Sequence, residues 1–194
     1  MKIIGITGGT GCGKTTALHI LQELGAYCID CDAVYHELLE TCPALRAEIV
    51  EAFPACAPGG VFDRKELGKL VFANQAALQR LTEITNGYVF AKVSFLLDEA
   101  ARKEYPAAAI DAIGLFESGL DQFCGVTVGI LAPKADRLRR IMARDGIPEG
   151  YAQMRLDAQP EDGYFREKCD YILENTGTEA EFRRKSLDFF QKFL

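Results

Sequence analysis

The chain has 194 residues, of which 48% are hydrophobic and 26% charged, which is typical of one folded globular domain with room for a small inserted subdomain. Its net charge of −6 argues against a nucleic-acid-binding surface, because neutralising a phosphate backbone requires a basic patch. No apolar run approaches the roughly 20 residues that cross a bilayer. Residues 1–4 (MKII) lead directly into a predicted strand, so we expect no signal peptide, no membrane partner and a cytoplasmic location.

The first predicted elements are a buried strand over 2–7 and a helix over 16–24, and residues 8–15 (GGTGCGKT) lie between them. This segment fits the phosphate-loop pattern G-x-x-x-x-G-K-[ST] in the strand–loop–helix setting that its mechanism requires. Backbone N–H groups converge there on a polyphosphate, and the helix N-terminus adds partial positive charge. Lys14 is expected to reach the outer phosphates and the Thr15 hydroxyl to ligate Mg²⁺. The predicted nucleotide contacts are Gly9, Thr10, Gly11, Cys12, Gly13, Lys14, Thr15 and Thr16.

The cysteines, seven in number, are interpreted as reduced thiols. Cys12 lies near a helix N-terminus, which would lower its pKa and favour the thiolate. The alternative, which we favour, is that Cys12 only fills space in the loop. Cys28 and Cys31 have C-x-x-C spacing, but no second ligand pair accompanies them, so chance is the better explanation.

A second strand is predicted over 26–30, followed by a short helical pattern over 33–39. Asp30 and Asp32 therefore flank the carboxyl end of a strand, where ligands bind in open α/β sheets. Asp32 is either a functional carboxylate, which we favour, or the N-cap of the helix.

A helical block is predicted between the second and third strands, with an interruption at Asn86-Gly87. An insertion of this size in a phosphate-loop fold commonly receives the second substrate. Further strands are predicted over 107–113, 126–131 and 170–174, and a last helix over 178–193. Asp111 in the third strand is either a Mg²⁺ ligand or a buried acid, and the sequence leaves both open.

The helix after Pro133 carries a row of arginines, of which Arg137, Arg140 and Arg144 share one face. A solvated charged face is the ordinary explanation, but a guanidinium row also suits the charge of a transferring phosphoryl group, and we favour the second explanation. Two short helices, over 151–158 and 160–168, surround Gln159 and predict a helical lid.

Together these patterns predict an α/β fold of the P-loop NTPase type: three layers, with a five-stranded parallel sheet flanked by helices, a helical acceptor-binding insertion and a lid. The expected division is a core of 1–40, 104–135 and 169–194, an insertion of about 41–103, and an arginine helix and lid of about 136–168.

The motifs together resemble the dephospho-CoA kinase family across nearly the full chain. The resemblance rests on the phosphate loop in 5–16, the Asp-x-Asp segment 29–32, the segment 62–72, the Leu-Phe-Glu segment 115–120, the arginine helix with Gln159, and the terminal strand 170–177. Asn86-Gly87 stands where the family usually has His-Pro, and Ile113-Gly114 where it has Pro-Leu. Both departures concern the acceptor side.

The resemblance implies transfer of the ATP γ-phosphoryl group to the ribose 3′-hydroxyl of dephospho-CoA, with Mg²⁺, in a monomer or weak homo-oligomer. It implies catalytic roles for Asp32, Lys14 and Arg140, and further nucleotide contacts at Arg140, Arg144, Asn175 and Gly177. It also implies acceptor contacts at Asp32, Arg64, Leu67, Phe72, Asn86 and Glu117.

Three alternatives remain open from the sequence. One is another P-loop kinase, acting on a nucleoside, a nucleotide or another small metabolite. A regulatory GTPase would need a guanine-reading Asn-Lys-x-Asp segment, which the sequence lacks. A catalytically silent nucleotide-binding module is the third, and measurable CoA formation would eliminate it.

Overall fold

The structure is a computed structural model that describes residues 1–194 with the exception of the side chain of Phe72. The predicted acceptor contact at Phe72 therefore lies outside the described residues. The strands are β1 (Lys2–Thr7), β2 (Tyr27–Asp30), β3 (Ala107–Asp111), β4 (Val126–Leu131) and β5 (Tyr171–Glu174). Over the described part of the chain they form one five-stranded parallel sheet in the order β2-β3-β1-β4-β5. This confirms the predicted α/β fold with a parallel sheet flanked by helices.

The helices follow the strands in the alternation that a parallel sheet requires. They are α1 (Lys14–Glu23), α2 (Cys31–Thr41), α3 (Pro43–Ala52), α4 (Arg64–Phe72), α5 (Gln75–Arg102), α6 (Lys134–Asp145), α7 (Glu149–Asp157), α8 (Asp162–Lys168) and α9 (Glu179–Phe190). The described helices lack the combination of length and apolar character that a bilayer crossing requires. Thr178 and Glu181 form the capping box that begins α9.

The interruption predicted at Asn86-Gly87 within the helical block is wrong, because α5 runs through both residues without a break. A glycine in a helix interior costs only about 1 kcal/mol relative to alanine, which tertiary packing overcomes. Buried residues on both sides of the glycine provide that packing, namely Leu81, Thr85 and Val93.

The chain divides into two compact units, one of residues 1–30 and 97–194 and the other of residues 31–96. The first unit contains the sheet. Its core includes Ile4 and Ile6 of the central strand β1 and Phe182 and Phe190 of α9, each at most 2% exposed. A strand that is buried on both faces has a nearly continuous apolar sequence, and this is why β1 is recognisable from sequence.

The second unit, residues 31–96, has a core of its own. Its buried residues come from α2, α3, α4 and α5: Leu39, Leu45, Ile49, Leu67, Val71 and Leu81, together with Cys56. The unit begins with α2, which the sequence analysis assigns to the sheet-containing core. Its helices pack around apolar side chains at the helical spacing expected from sequence.

Parallel strands in one sheet direct their carboxyl ends to the same edge. The loop after β1, the carboxylate of Asp111 at the end of β3 and the side chain of Asn175 after β5 therefore share one edge of the first unit. Asp30, the last residue of β2, is the register partner of Asp111 there. The topology thus gathers the predicted nucleotide-binding residues of this unit.

Asp145 connects α6 to α7 in the lid. Its carboxylate accepts hydrogen bonds from Arg144 at 2.7 Å and from Arg155 Nη1 at 2.6 Å, and Arg155 lies in α7. The Arg144 hydrogen bond, the Arg144 charge and the Arg155 contacts together lower the pKa of Asp145 to about 2. A carboxyl with a depressed folded-state pKa contributes stability above its unfolded pKa and loses it as the pH falls through the folded value.

We expect Asp145→Asn to lower the free energy of unfolding by about 0.5–1 kcal/mol near neutral pH, the size of a partly exposed ion pair. The difference from wild type should shrink as the pH falls from about 4 towards 2, because the wild-type carboxyl then becomes protonated. Urea unfolding followed by circular dichroism over this pH range measures it. The control is Glu167→Gln, an exposed acid of α8, and a difference that stays constant down to pH 2 would contradict the prediction.

Candidate active site

The loop between β1 and α1 has the backbone of an anion-binding site. Gly13, immediately before α1, has φ +107°, and a Cβ there would lie 2.5 Å from Asn175 Nδ2, so the position requires glycine. Lys14 opens the helix, and its Nζ donates to the carbonyl oxygen of Gly8 at 3.0 Å. The lysine is therefore folded back over the loop, where its charge would face a bound polyphosphate.

Side chains from distant parts of the first unit hold the carbonyl oxygens of this loop. Arg137 Nε donates to Thr10 O at 3.0 Å, Arg140 Nη1 to Gly11 O at 3.1 Å, and Asn175 Nδ2 to Cys12 O at 2.9 Å. In a planar trans peptide the C=O of one residue and the N–H of the next point in opposite directions. With these carbonyls held by the protein, the N–H groups of Gly11 and Gly13 are directed to the opposite side, where they can converge on an anion, whereas the Cys12 N–H donates to Gly9 O at 3.3 Å.

Arg137 and Gln159 are loop ligands that the sequence analysis did not assign. Arg137 is 7% exposed, and its Nη2 donates to Gln159 Oε1 at 3.1 Å. Gln159 Oε1 also accepts from the Thr10 N–H at 2.8 Å, and Gln159 Nε2 donates to Thr10 Oγ1 at 2.5 Å. The available signal was the shared face of Arg137 and Arg140, but their partners are more than 100 residues away in sequence, so no local pattern reveals them.

The predicted nucleotide contacts of the arginine helix separate in the structure. Arg140 lies against the loop and also donates to Asn175 Oδ1 at 3.4 Å. Arg144, one turn further along α6, forms a bidentate pair with Asp145, and its side chain is 58% exposed. Arg139, on the other face of the helix, pairs with Asp136 and is 75% exposed. The arginine row thus contains two members that bond the loop, Arg137 and Arg140, and two exposed members that pair with acids, so the solvated-face explanation applies to Arg139 and Arg144.

Asn175 and Gly177 follow β5. Asn175 is 5% exposed, because its side chain braces Cys12 and its backbone N–H donates to Leu131 O at 2.7 Å. Gly177 is exposed and lines a groove of about 630 Å³ between β5 and α9. The two predicted nucleotide contacts after β5 therefore consist of one buried side chain that holds the loop and one accessible backbone position.

Cys12 is a buried thiol. It is 1% exposed, and burial raises its pKa, with the Lys14 charge opposing this shift. The interpretation of Cys12 as a reactive thiolate is therefore wrong, since the loss of hydration outweighs the favourable charges nearby. Over the described residues the seven cysteines, Cys28 and Cys31 among them, form no disulfide.

The donors that suit Mg²⁺ in this unit are oxygen atoms at the carboxyl edge of the sheet. The Thr15 side chain is exposed at the start of α1, and the carboxylates of Asp30 and Asp111 end adjacent strands as register partners. Among the described residues no group of three or more His, Cys, Asp or Glu side chains is arranged to hold a metal. The Thr15 hydroxyl with the carboxylates of Asp30 and Asp111 fits Mg²⁺, because this ion usually takes one or two carboxylates and completes its octahedral coordination with waters and substrate phosphates.

Asp32 is an exposed acid in the first turn of α2, the helix that follows β2 directly. The helix begins at Cys31, so Asp32 lies inside it, and the alternative assignment of Asp32 as the N-cap is wrong. An exposed carboxylate in a first helical turn needs no structural role, although it is favourable with the helix dipole.

The predicted acceptor contacts in the second unit have distinct environments. Arg64 Nη2 lies 2.8 Å from His36 Nε2, and because guanidinium only donates, this histidine nitrogen accepts. Leu67 is 2% exposed in the core of the unit, which accounts for its apolar character. Asn86 lies half-buried in the middle of α5.

Glu117, the remaining predicted acceptor contact, is exposed in the first unit. Its Oε1 accepts a 2.6 Å hydrogen bond from the hydroxyl of Tyr164 in α8. Partial burial, followed by this bond and the Glu117 charge, strongly raises the pKa of Tyr164, so the phenol stays protonated and donating. A residue of α8 is thereby joined to the segment that follows β3.

Known proteins resemble this chain over most of its length. A family model described as dephospho-CoA kinase matches residues 2–181. A dephospho-CoA kinase from Geobacter metallireducens is 40% identical over 193 residues, covering 95% of this chain and 93% of the relative. One from Salinibacter ruber is 34% identical over 192 residues, covering 98% and 96%. A crystal structure from Thermus thermophilus is 32% identical, with a TM-score of 0.82, and the match covers 100% of this chain and 97% of that one.

A family model that matches residues 2–181, and relatives that are 34% and 40% identical over nearly the full length, show that the chain belongs to the dephospho-CoA kinase family of ATP-dependent kinases.

Proposed function

We propose that this chain transfers the γ-phosphoryl group of Mg-ATP to the ribose 3′-hydroxyl of dephospho-CoA, giving CoA and ADP. The observation that best supports the proposal is the loop whose carbonyls are held by Arg137, Arg140 and Asn175, so that its amides are directed to the other side. Family membership supplies the acceptor, and the loop geometry supplies the donor site.

In this mechanism the loop residues bind and orient the triphosphate. The amides of 11–15 hold the inner phosphates, and Lys14 moves from Gly8 O to the outer phosphates. Mg²⁺, when bound, neutralises charge on the β- and γ-phosphates. The Thr15 hydroxyl would hold Mg²⁺, and the carboxylate of Asp30 or Asp111 would bind the ion directly or through a water molecule.

Asp32 is the proposed group that orients the acceptor hydroxyl and accepts its proton. Phosphoryl transfer passes through a loose transition state, so positioning and charge neutralisation do most of the work. Arg140 neutralises charge on the transferring group, since it already lies at the loop and carries a guanidinium. The lid, residues 136–168, excludes water from the site when the substrates are bound.

The second unit, residues 31–96, is the proposed receiver of the acceptor, with Arg64 and Asn86 as polar contacts and Leu67 supporting the apolar wall. Glu117 of the first unit is a further proposed acceptor contact. Arg144 and Gly177 complete the nucleotide contacts. We place the reaction in the cytoplasm, where a chain with free cysteines keeps them reduced.

The proposal is tested by incubating the purified chain with γ-labelled ATP and a panel of acceptors. We expect label in CoA from dephospho-CoA, and much less transfer to adenosine, AMP or shikimate. Parallel reactions contain excess EDTA, with and without added Mg²⁺. Faster transfer to another acceptor would favour the alternative of a different small-molecule kinase, and undiminished transfer in EDTA would contradict the role of the metal.

A further inference from the structure

The side chain of Gln159 bonds to the phosphate loop as a ligand would. Its Oε1 lies 2.8 Å from the Thr10 N and 3.1 Å from Arg137 Nη2. Both partners are donors only, so the atom between them must be the amide oxygen. An oxygen held between a loop amide and a guanidinium has the environment that proteins use for a phosphoryl oxygen.

The donors around this oxygen are fixed in place by contacts of their own. Arg137 is 7% exposed, and its Nε donates to Thr10 O, so its guanidinium is locked against the loop. A Cβ at Gly9 would collide with Arg137 Nη2 and approach Gln159 Oε1 to 3.0 Å, so glycine makes room for the arrangement. The guanidinium and the Thr10 amide would therefore keep their positions if Gln159 moved away.

The charge of Arg137 is only weakly compensated at this place. The nearest carboxylate oxygen in a described ion pair, Asp162 Oδ1, lies 3.7 Å from Arg137 Nη1, which is longer than a charge-assisted hydrogen bond. Its strong partners are the neutral oxygens of Thr10 and Gln159. A buried cation that bonds neutral acceptors gains when an anionic oxygen replaces one of them.

Thr10 lies in the early part of the loop, away from the amides at the start of α1 that hold the inner phosphates. We propose that the Thr10–Arg137 pair is the site of the outermost phosphate, that Gln159 is an internal ligand at this position, and that the γ-phosphoryl group of ATP displaces it. Gln159 then competes with the γ-phosphoryl group for Thr10 and Arg137, and so sets the ratio of ATP to ADP affinity.

This inference rests on the proposed function, because the displacing group is the terminal phosphoryl of ATP. Its test is the ratio of ATP to ADP affinity, measured by calorimetry with Mg²⁺ and no acceptor. Gln159→Ala removes the competitor, so ATP affinity should rise about three- to tenfold, the size of one or two net hydrogen bonds, with ADP affinity unchanged. Gln159→Glu places a carboxylate against Arg137, so ATP affinity should fall at least about tenfold with ADP affinity again unchanged.

The matched control is Gln153→Ala in α7, since Gln153 bonds Asp157 instead of the loop and should leave both affinities unchanged. If Gln159 is only a structural brace, Gln159→Ala will weaken ATP and ADP equally, and this result would overturn the inference. An unchanged ATP-to-ADP ratio in both Gln159 variants would also overturn it while leaving the proposed function intact. Failure of the wild type to bind either nucleotide would overturn both proposals.

Discussion

Replacing Asp32 with asparagine is expected to lower kcat at least about a hundredfold while leaving the affinity for ATP nearly unchanged. Asparagine keeps the size of the side chain and can still fit the first turn of α2, but its amide cannot take the proton of the attacking hydroxyl. The donor site is formed by the loop before α1 and the side chains that hold it, so ATP binding should persist. Steady-state rates with dephospho-CoA, together with calorimetric ATP affinities, measure the two quantities separately.

The matched control is Glu40→Gln, which removes one exposed carboxylate from the same helix without touching the first turn. We expect its kcat to remain within about twofold of wild type, as for an ordinary surface substitution. An Asp32→Asn enzyme with wild-type kcat would remove this residue from the mechanism. A parallel loss of kcat and ATP affinity would instead assign Asp32 to the binding of the Mg-nucleotide.

The donor site was predictable because its determinants are local in sequence. The strand over 2–7, the loop over 8–15 and the start of α1 are contiguous, so apolar runs and glycine spacing specify them together. The rule that crossovers between parallel strands are right-handed reduces the number of possible sheet topologies, but it can be applied only after the strands have been identified. Asp30 and Asp32 were found because they sit where a short apolar run ends.

The bracing of the loop was not predictable in the same way. Arg137 and Gln159 meet Thr10 across separations of 127 and 149 residues, and the sequence shows only that both are polar residues near predicted helices. The helical face shared by Arg137, Arg140 and Arg144 indicated that these side chains point to one side of the helix, but it did not reveal that Arg144 pairs with Asp145. Tertiary contacts decide which member of a helical row is solvated.

At Asn86-Gly87 the sequence predicted a helix break that the structure does not contain, because α5 continues through both residues. Local propensity favours a break, because glycine and asparagine are poor helix formers. Packing of the second unit decides otherwise, since Leu81 and Val93 on either side are buried. The chain therefore keeps a continuous helix through Asn86-Gly87.

Arg140→Ala is expected to lower kcat about a hundredfold or more and to reduce ATP affinity much less, because a guanidinium that meets the transferring group acts mainly in the transition state. Arg140 already touches the loop through Gly11 O and reaches Asn175 Oδ1, so a small loss of binding from a looser loop is also expected. Arg140→Lys should recover only part of the rate, since an ammonium cannot span both acceptors in the geometry of the planar guanidinium.

Arg139→Ala is the matched control for this experiment, because it removes the same charge from the adjacent residue of α6, which faces solvent and pairs only with Asp136 among the described ion pairs. If the charge of the helix acted at long range, the two substitutions would have similar effects and salt would reduce both. If Arg140 neutralises the transferring phosphoryl group at contact distance, only Arg140→Ala will lower kcat, and the deficit will persist at high salt. Equal losses in kcat/KM and ATP affinity would make Arg140 a ground-state contact of the nucleotide and would leave the transition-state charge to Lys14 and the metal.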